Sequence, residues 1–281
     1  MKPWSKALAV VLALAVLALG LMWWRDARRA TPAPATPPVV QPVPTAAPAS
    51  VPAPAIEFPI APADSASQPA FVMPTPENTD AAVQAELIDL AGRDGVLGFL
   101  QLDGFVRRVV ATVDNLDRQH APARVWPVNP TPGRFGTVEL SGIERIAPDN
   151  AKRYDGFVNF VESVDMARAA ALYRWMYPLF QRSYEELGYP GKYFNDRLVK
   201  VVDHLLATRA PPQPVPVTLL EIKGPVASQR PWVHYRFTDP ALEQASAGQK
   251  LLMRMGPDNQ ARLQAKLAEF RSALVSASKP R

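Results

Sequence analysis

Residues 171–207 read ALYRWMYPLFQRSYEELGYPGKYFNDRLVKVVDHLLA, two helical patterns meeting at a corner. Before the corner, apolar residues fall nearly all round the run that Asp165 begins, which predicts a buried central helix. Pro178 lacks a backbone donor and predicts a kink or a split in it. After the corner, Leu198, Val201, Val202, Leu205 and Leu206 repeat at helical spacing as one core face. Asp196 and Lys200 are spaced to pair at i,i+4 on the wet side. Within the corner, Gly188 suits a left-handed helix end. Tyr189-Pro190-Gly191 suits a turn, and Asn195 or Asp196 suits the N-cap of the next helix. Tyr184, Tyr189, Tyr193 and Phe194 would lock the corner by packing.

The same corner has a functional reading. Tyr184, Tyr189, Tyr193, Asn195, Asp196 and Arg197 would face a cleft and grip a polar ligand such as a glycan or a peptide, since loops on rigid scaffolds often bind. Turn and cap chemistry already accounts for the spacing, so the structural reading takes precedence.

Helical periodicity extends outward on both sides. DAAVQAELIDLAG runs from an Asp80 cap to Gly92, and Asp103 is placed to cap GFVRRVVATVDNL, with Phe105, Val109, Val113 and Leu116 as its stripe. Pro148 is a natural first-turn residue for a helix striped by Tyr154, Phe157, Val161 and Val164. PVTLLEIK and WVHYRFT read as two short strands, a hairpin across KGPVASQRP. Asp239-Pro240 opens a short helix, Ser246 and Gln249 form a capping box, and the last helix starts near Pro257.

Between Asp117 and Ile143 the period is lost. Four prolines predict an extended loop leading into at most a short strand. The loop is basic: Arg118, Arg124 and Arg134, with Trp126, could meet an anionic surface such as lipid headgroups. Three charges over this length are sparse, so a solvated, proline-stiffened loop with Trp126 against the core is the plainer expectation.

The amino-terminal part has a different composition. Residues 7–24, ALAVVLALAVLALGLMWW, are uninterruptedly apolar and as a helix would span about 27 Å, the thickness of a bilayer's hydrocarbon core. Trp23 and Trp24 suit the headgroup layer. A cleaved signal peptide would have a shorter apolar region and a small-residue cleavage site. From Thr31 to Pro76 lie 14 of the chain's 31 prolines, a composition that favours extended polyproline II and stiff reach. The expected organisation is therefore a short tail (1–6), a transmembrane anchor (7–24), a Pro/Ala-rich linker (25–76), a mainly helical domain (77–275) and a frayed tail (276–281). The fold class is mainly α, a single helical domain with a small two-stranded β element.

Composition narrows the chemistry. The chain has no cysteine, which excludes disulfides, thiolate nucleophiles and cysteine zinc sites. Of the formal charge of +5, residues 1–30 hold +4, so the high pI is no argument for nucleic acid. His120, His204 and His234 show no metal spacing, and no phosphate loop, dinucleotide fingerprint or nucleophile elbow is present. No cofactor or metal is expected.

FVRRVVATVDNL, the 171–207 stretch and SAGQKLLMRMGPDN together resemble the domain-of-unknown-function 3014 (DUF3014) family. The resemblance covers roughly residues 80–273. It implies a membrane-anchored bacterial protein with a proline-rich spacer and one helical domain in the envelope, and it assigns no catalytic residue. The expected function is a single-pass inner-membrane protein presenting a non-enzymatic interaction domain, on the periplasmic side, to an unknown envelope protein or cell-wall component. The alternative is an envelope hydrolase or transferase acting on glycan or peptide, using Asp196 with Glu185 or Glu186.

Overall fold

The structure, a computed structural model, describes residues 55–60, 74, 78–220 and 230–276. The expected anchor (7–24), most of the linker and the tail beyond Ser276 lie outside the described residues. Among the described residues no helix is long and apolar enough to cross a membrane.

The described part is mainly helical. Helices α1 (Thr79–Ala91), α2 (Arg93–Phe99) and α3 (Phe105–Leu116) lead into the proline-rich loop and a hairpin, β1 (Thr137–Leu140) and β2 (Ile143–Ile146). Helices α4 (Lys152–Ser163), α5 (Met166–Trp175), α6 (Tyr177–Glu186) and α7 (Phe194–Leu206) follow. A second hairpin, β3 (Val217–Leu219) and β4 (Tyr235–Phe237), precedes α8 (Pro240–Glu243), α9 (Ala247–Arg254) and α10 (Pro257–Ser276).

Pro178 sits in the first turn of α6 and splits the predicted central helix at Met176. Neither half is buried all round. The central element is α7 instead, with Phe194, Asn195, Leu198, Val199, Val201, Val202 and Leu205 buried. It is flanked by α3 and α10, and α10 also runs along α4 and α5. Valines and aromatics from these helices make the main core, including Val110, Val158, Tyr173, Phe180 and Phe194. Close approach is built into two glycines. A Cβ on Gly95 would lie 2.5 Å from the Phe160 ring, and one on Gly248 would lie 2.5 Å from Leu205 and 3.0 Å from the Leu116 carbonyl oxygen.

The capping box at Ser246 and Gln249 and the Asp165 and Asp239 caps form as predicted. Asp103 and Asp80 do not cap their own helices. Gly104 is the N-cap of α3, and its amide donates to the Asp80 carboxylate at 2.9 Å, tying α1 to α3.

The β content exceeds the single expected hairpin. The predicted pair forms, with Val217 opposite Phe237, and β1–β2 adds a second antiparallel pair with Thr137 opposite Ile146. Ser141 and Gly142 turn that hairpin with φ of 53° and 74°, the left-handed pair that matches strand twist. The hairpins meet where the Ile146 amide donates to the Val215 carbonyl. A small second core of Ile146, Val215, Val217, Phe237 and Met253 lies between them and α9.

Candidate functional site

The corner between α6 and α7 forms much as its turn residues require. Gly188 and Gly191 take positive φ, and the Lys192 amide donates to the Tyr189 carbonyl to close the turn. The Tyr184 and Tyr189 rings stack at 4.6 Å, and Tyr184 meets Phe194 at 5.4 Å.

The expected cap does not form. Tyr193 occupies the N-cap position without a side-chain bond, and the Phe194 amide donates instead to the Gln181 side chain at 2.9 Å. Asn195 and Asp196 are thereby free to bind something else, and what they bind is the chain's own residues 55–60. The Asp196 carboxylate accepts the Glu57 amide at 3.0 Å and the Phe58 amide at 2.8 Å. The Asn195 side-chain amide donates to the Phe58 carbonyl at 2.8 Å, and the Tyr193 hydroxyl accepts the Ile60 amide at 2.8 Å. Asn195 is fully buried and held from behind by the Tyr173 hydroxyl. The predicted Asp196–Lys200 pair is replaced by Lys200 with Glu57, at 2.6 Å.

Phe58 and Ile60 are half-buried while Glu57 and Pro59 are exposed, and the chain bends at Glu57 and Phe58. Both backbone groups of Phe58 are gripped, and the consecutive amides of Glu57 and Phe58 converge on one carboxylate, so the clamp holds a bent stretch of main chain. Residues 55–60 belong to the stretch assigned to the linker, and they are seated on the helical domain.

The other corner residues face inward to α3. Tyr189 donates its hydroxyl to Asp114 and accepts from Arg118. Arg197 forks onto both oxygens of Asp117 at 2.6 Å and reaches the Asp114 carbonyl. Burial pushes the Asp117 carboxyl up, but the hydrogen bonds and charge of Arg197 outweigh it and hold that carboxyl below its ordinary value. Burial likewise raises the Tyr184 hydroxyl. Tyr184, Tyr189 and Arg197 therefore fix the corner to α3, whereas Tyr193, Asn195 and Asp196 form the clamp. Glu186 pairs with Arg182, and Glu185 accepts from Gln181.

The basic loop divides in the same way. Arg118 belongs to the Asp114 cluster. Arg124 and Trp126 line a cleft of about 640 Å³ together with Arg108, Arg153, Arg230 and Arg254, and Arg134 stacks at its rim over the Trp232 ring at 4.2 Å. Aromatic rings of Phe135, Tyr154, Trp232 and Tyr235 also line it, and among the described residues no carboxylate does. Behind Trp126 and Tyr154 lies a second cavity of about 620 Å³, lined mostly by apolar side chains of the main core such as Leu205, Leu252, Leu263 and Leu267. The loop walls both and is pinned in place. The Gln101 amide donates to the Pro127 carbonyl, the Asn129 amide to the Phe99 carbonyl, and Thr112 to the Val125 carbonyl.

The cleft arginines Arg108, Arg153, Arg230 and Arg254 are spread over the whole domain, so spacing gives no sign of them. The available signal is their placement beside apolar stripe positions, as at Arg153-Tyr154 and at Arg254 on α9. Among the described residues no group of histidines and carboxylates is arranged to hold a metal ion.

No curated protein and no solved structure matches the chain. The family model described as a protein of unknown function (DUF3014) matches residues 105–271, which covers the corner, the loop and most of the lining of both cavities, and the chain belongs to that family.

Proposed function

We propose that this is a single-pass membrane-anchored envelope protein whose helical domain is a binding module rather than an enzyme, carried on a proline-rich tether. The observation that carries this reading is the clamp. Tyr193, Asn195 and Asp196 hold main chain, and the main chain they hold lies within the proline-rich stretch. A domain that fastens part of its own leader has a surface built to bind a chain segment. The apolar run at 7–24 and the composition of the tether support an anchor in the inner membrane with the domain on the periplasmic side. The carboxylates that a hydrolase would need at this corner are engaged: Asp196 by two backbone amides and Glu186 by Arg182.

The test is protease accessibility of the full chain in spheroplasts. Digestion of residues 80–281 without lysis is expected. Protection until lysis would refute the periplasmic placement, and recovery in the soluble fraction of lysed cells without detergent would refute the anchor.

A further inference from the structure

The cleft arginines are held mainly by neutral groups, as Arg145 and Arg174 are outside the cleft. Elsewhere, Arg168, Arg182, Arg197, Arg262 and Arg271 each pair with a carboxylate. In the cleft, Arg153 is held by the carbonyls of Pro132 and Gly133 and the Asn150 side-chain oxygen, and Arg254 by the Tyr235 carbonyl and the Phe237 ring. Arg108 donates to the carbonyls of Asp103 and Arg124, with the Asp103 carboxylate at 3.9 Å. Neutral acceptors orient a guanidinium without cancelling its charge, so the cleft concentrates positive potential between low-dielectric aromatic walls. Burial lowers the proton affinity of Arg254, and the charge of Glu243 opposes that shift.

The apolar cavity lies directly behind. Trp126, Tyr154 and Leu251 line both spaces and form their shared wall. Among the described residues the buried Trp126 indole nitrogen has no hydrogen-bond partner. Each space falls within the roughly 300–1,000 Å³ typical of small-molecule sites. One is cationic and open, the other apolar and set in the core.

We propose that the paired cavities bind a monoacyl phospholipid, its anionic phosphate headgroup among Arg108, Arg124, Arg153 and Arg254 and its single acyl chain behind Trp126. A phosphate is chosen over a carboxylate because several arginines line one cleft far larger than one carboxylate needs, and guanidinium forks match phosphate oxygens in pairs. The site is independent of the clamp and of the membrane anchor.

The test uses the full chain in a neutral sugar detergent, titrated with monoacyl phosphatidylglycerol brominated on its acyl chain. Bromine quenches indole fluorescence on contact. The difference between the wild-type chain and Trp126→Phe isolates the signal of Trp126. Saturable quenching of that signal is expected, with the choline-headed lipid of the same chain requiring about tenfold more, as does the glycerol-headed lipid on Arg124→Glu, the loss expected for one charge-assisted contact. Arg124 is exposed, so this variant leaves folding intact. Leu263→Phe with Leu267→Phe fills the apolar cavity and should abolish quenching, its folding checked by circular dichroism. Equal quenching by both headgroups, or quenching unchanged in Arg124→Glu, would reduce the effect to partition into micelles and overturn the site. A brominated fatty acid that binds more tightly than the phospholipid would overturn the assignment of phosphate.

Discussion

Replacing Asp196 with alanine should unfasten residues 55–60 while leaving the helical domain folded. The carboxylate accepts two amides, from Glu57 at 3.0 Å and Phe58 at 2.8 Å, the first exposed and the second half-buried. A hydrogen bond to a charged group contributes about 1.5–3 kcal/mol. With one of the two bonds in water, the pair stabilises the seated segment by about 2 kcal/mol, the low end of that range. At 1.4 kcal/mol per decade, opening becomes about 30-fold more frequent. The Lys200–Glu57 pair adds little, since exposed ion pairs contribute about 0–1 kcal/mol and both side chains are more than half exposed. Amide hydrogen exchange on the intact full chain reads this directly. The Ile60 amide is the informative reporter, because its partner is the Tyr193 hydroxyl and not Asp196. If the segment opens as a unit, Ile60 exchange rises about 30-fold in Asp196→Ala, and Tyr193→Phe, which removes one neutral acceptor, raises Phe58 exchange about fivefold. Unchanged Ile60 exchange in Asp196→Ala would refute a cooperative clamp. Unprotected exchange at both residues in the wild-type chain would refute the clamp itself.

Three further outcomes follow from the packing. Phe194→Ala removes a fully buried ring that stacks on Phe180 at 6.0 Å and should cost about 3–5 kcal/mol in urea denaturation, with the denaturant slope unchanged. Gly248→Ala gains about 1 kcal/mol of helix propensity but sets a Cβ 3.0 Å from the Leu116 carbonyl oxygen and 2.5 Å from Leu205; because the carbonyl is backbone and cannot turn aside, the net effect in a thermal melt should be a loss of about 1–2 kcal/mol. The Asp117 carboxyl is held below its ordinary value in the folded chain, so its contribution is present above the unfolded pKa and is lost as pH falls through the folded one. Arg197→Ala should therefore destabilise the domain near neutral pH and flatten that acid-side decline in stability measured by denaturation from pH 6 downward.

Much of the fold was legible because its signals are local. Pro178 removes a donor wherever it stands, so the split between α5 and α6 follows from one residue. Ser246 with Gln249, and Asp165 before an alanine-rich run, are complete caps within four residues. The β1–β2 hairpin was missed although its turn is equally local. Ser141-Gly142 lies between TVEL and IERI, but the four prolines before it draw attention to loop chemistry, and the strands are only half-buried, with weak alternation. The burial of α7 instead of the 166–187 run was not legible, because an apolar residue does not reveal which of several helices will surround it. Among the described residues, α3 and α10 flank α7 and leave α5 and α6 one buried face each.

The candidate sites mark the limit more sharply. An acid beside a helix start reads the same whether it binds its own helix's amides or those of another segment, because local spacing contains only the acceptor. For Asp196 the donors come from residues 57 and 58, more than 130 positions away. What decides between the two is the Gln181 side chain, which takes the Phe194 amide and leaves Asn195 and Asp196 without a capping role. Gln181 is placed for this by its helix register on α6, where it also accepts from Tyr177 and donates to the Lys192 carbonyl. The same argument covers the cleft. A sparse basic loop holds too little charge to bind an anion alone, yet Arg124 and Trp126 are joined by Arg108 from α3, Arg153 from α4 and Arg254 from α9. Charge density along the chain and charge density in space are different quantities. Only the packing of α3, α4 and α9 around one loop turns the first, which is low, into the second, which is high enough to hold an anion.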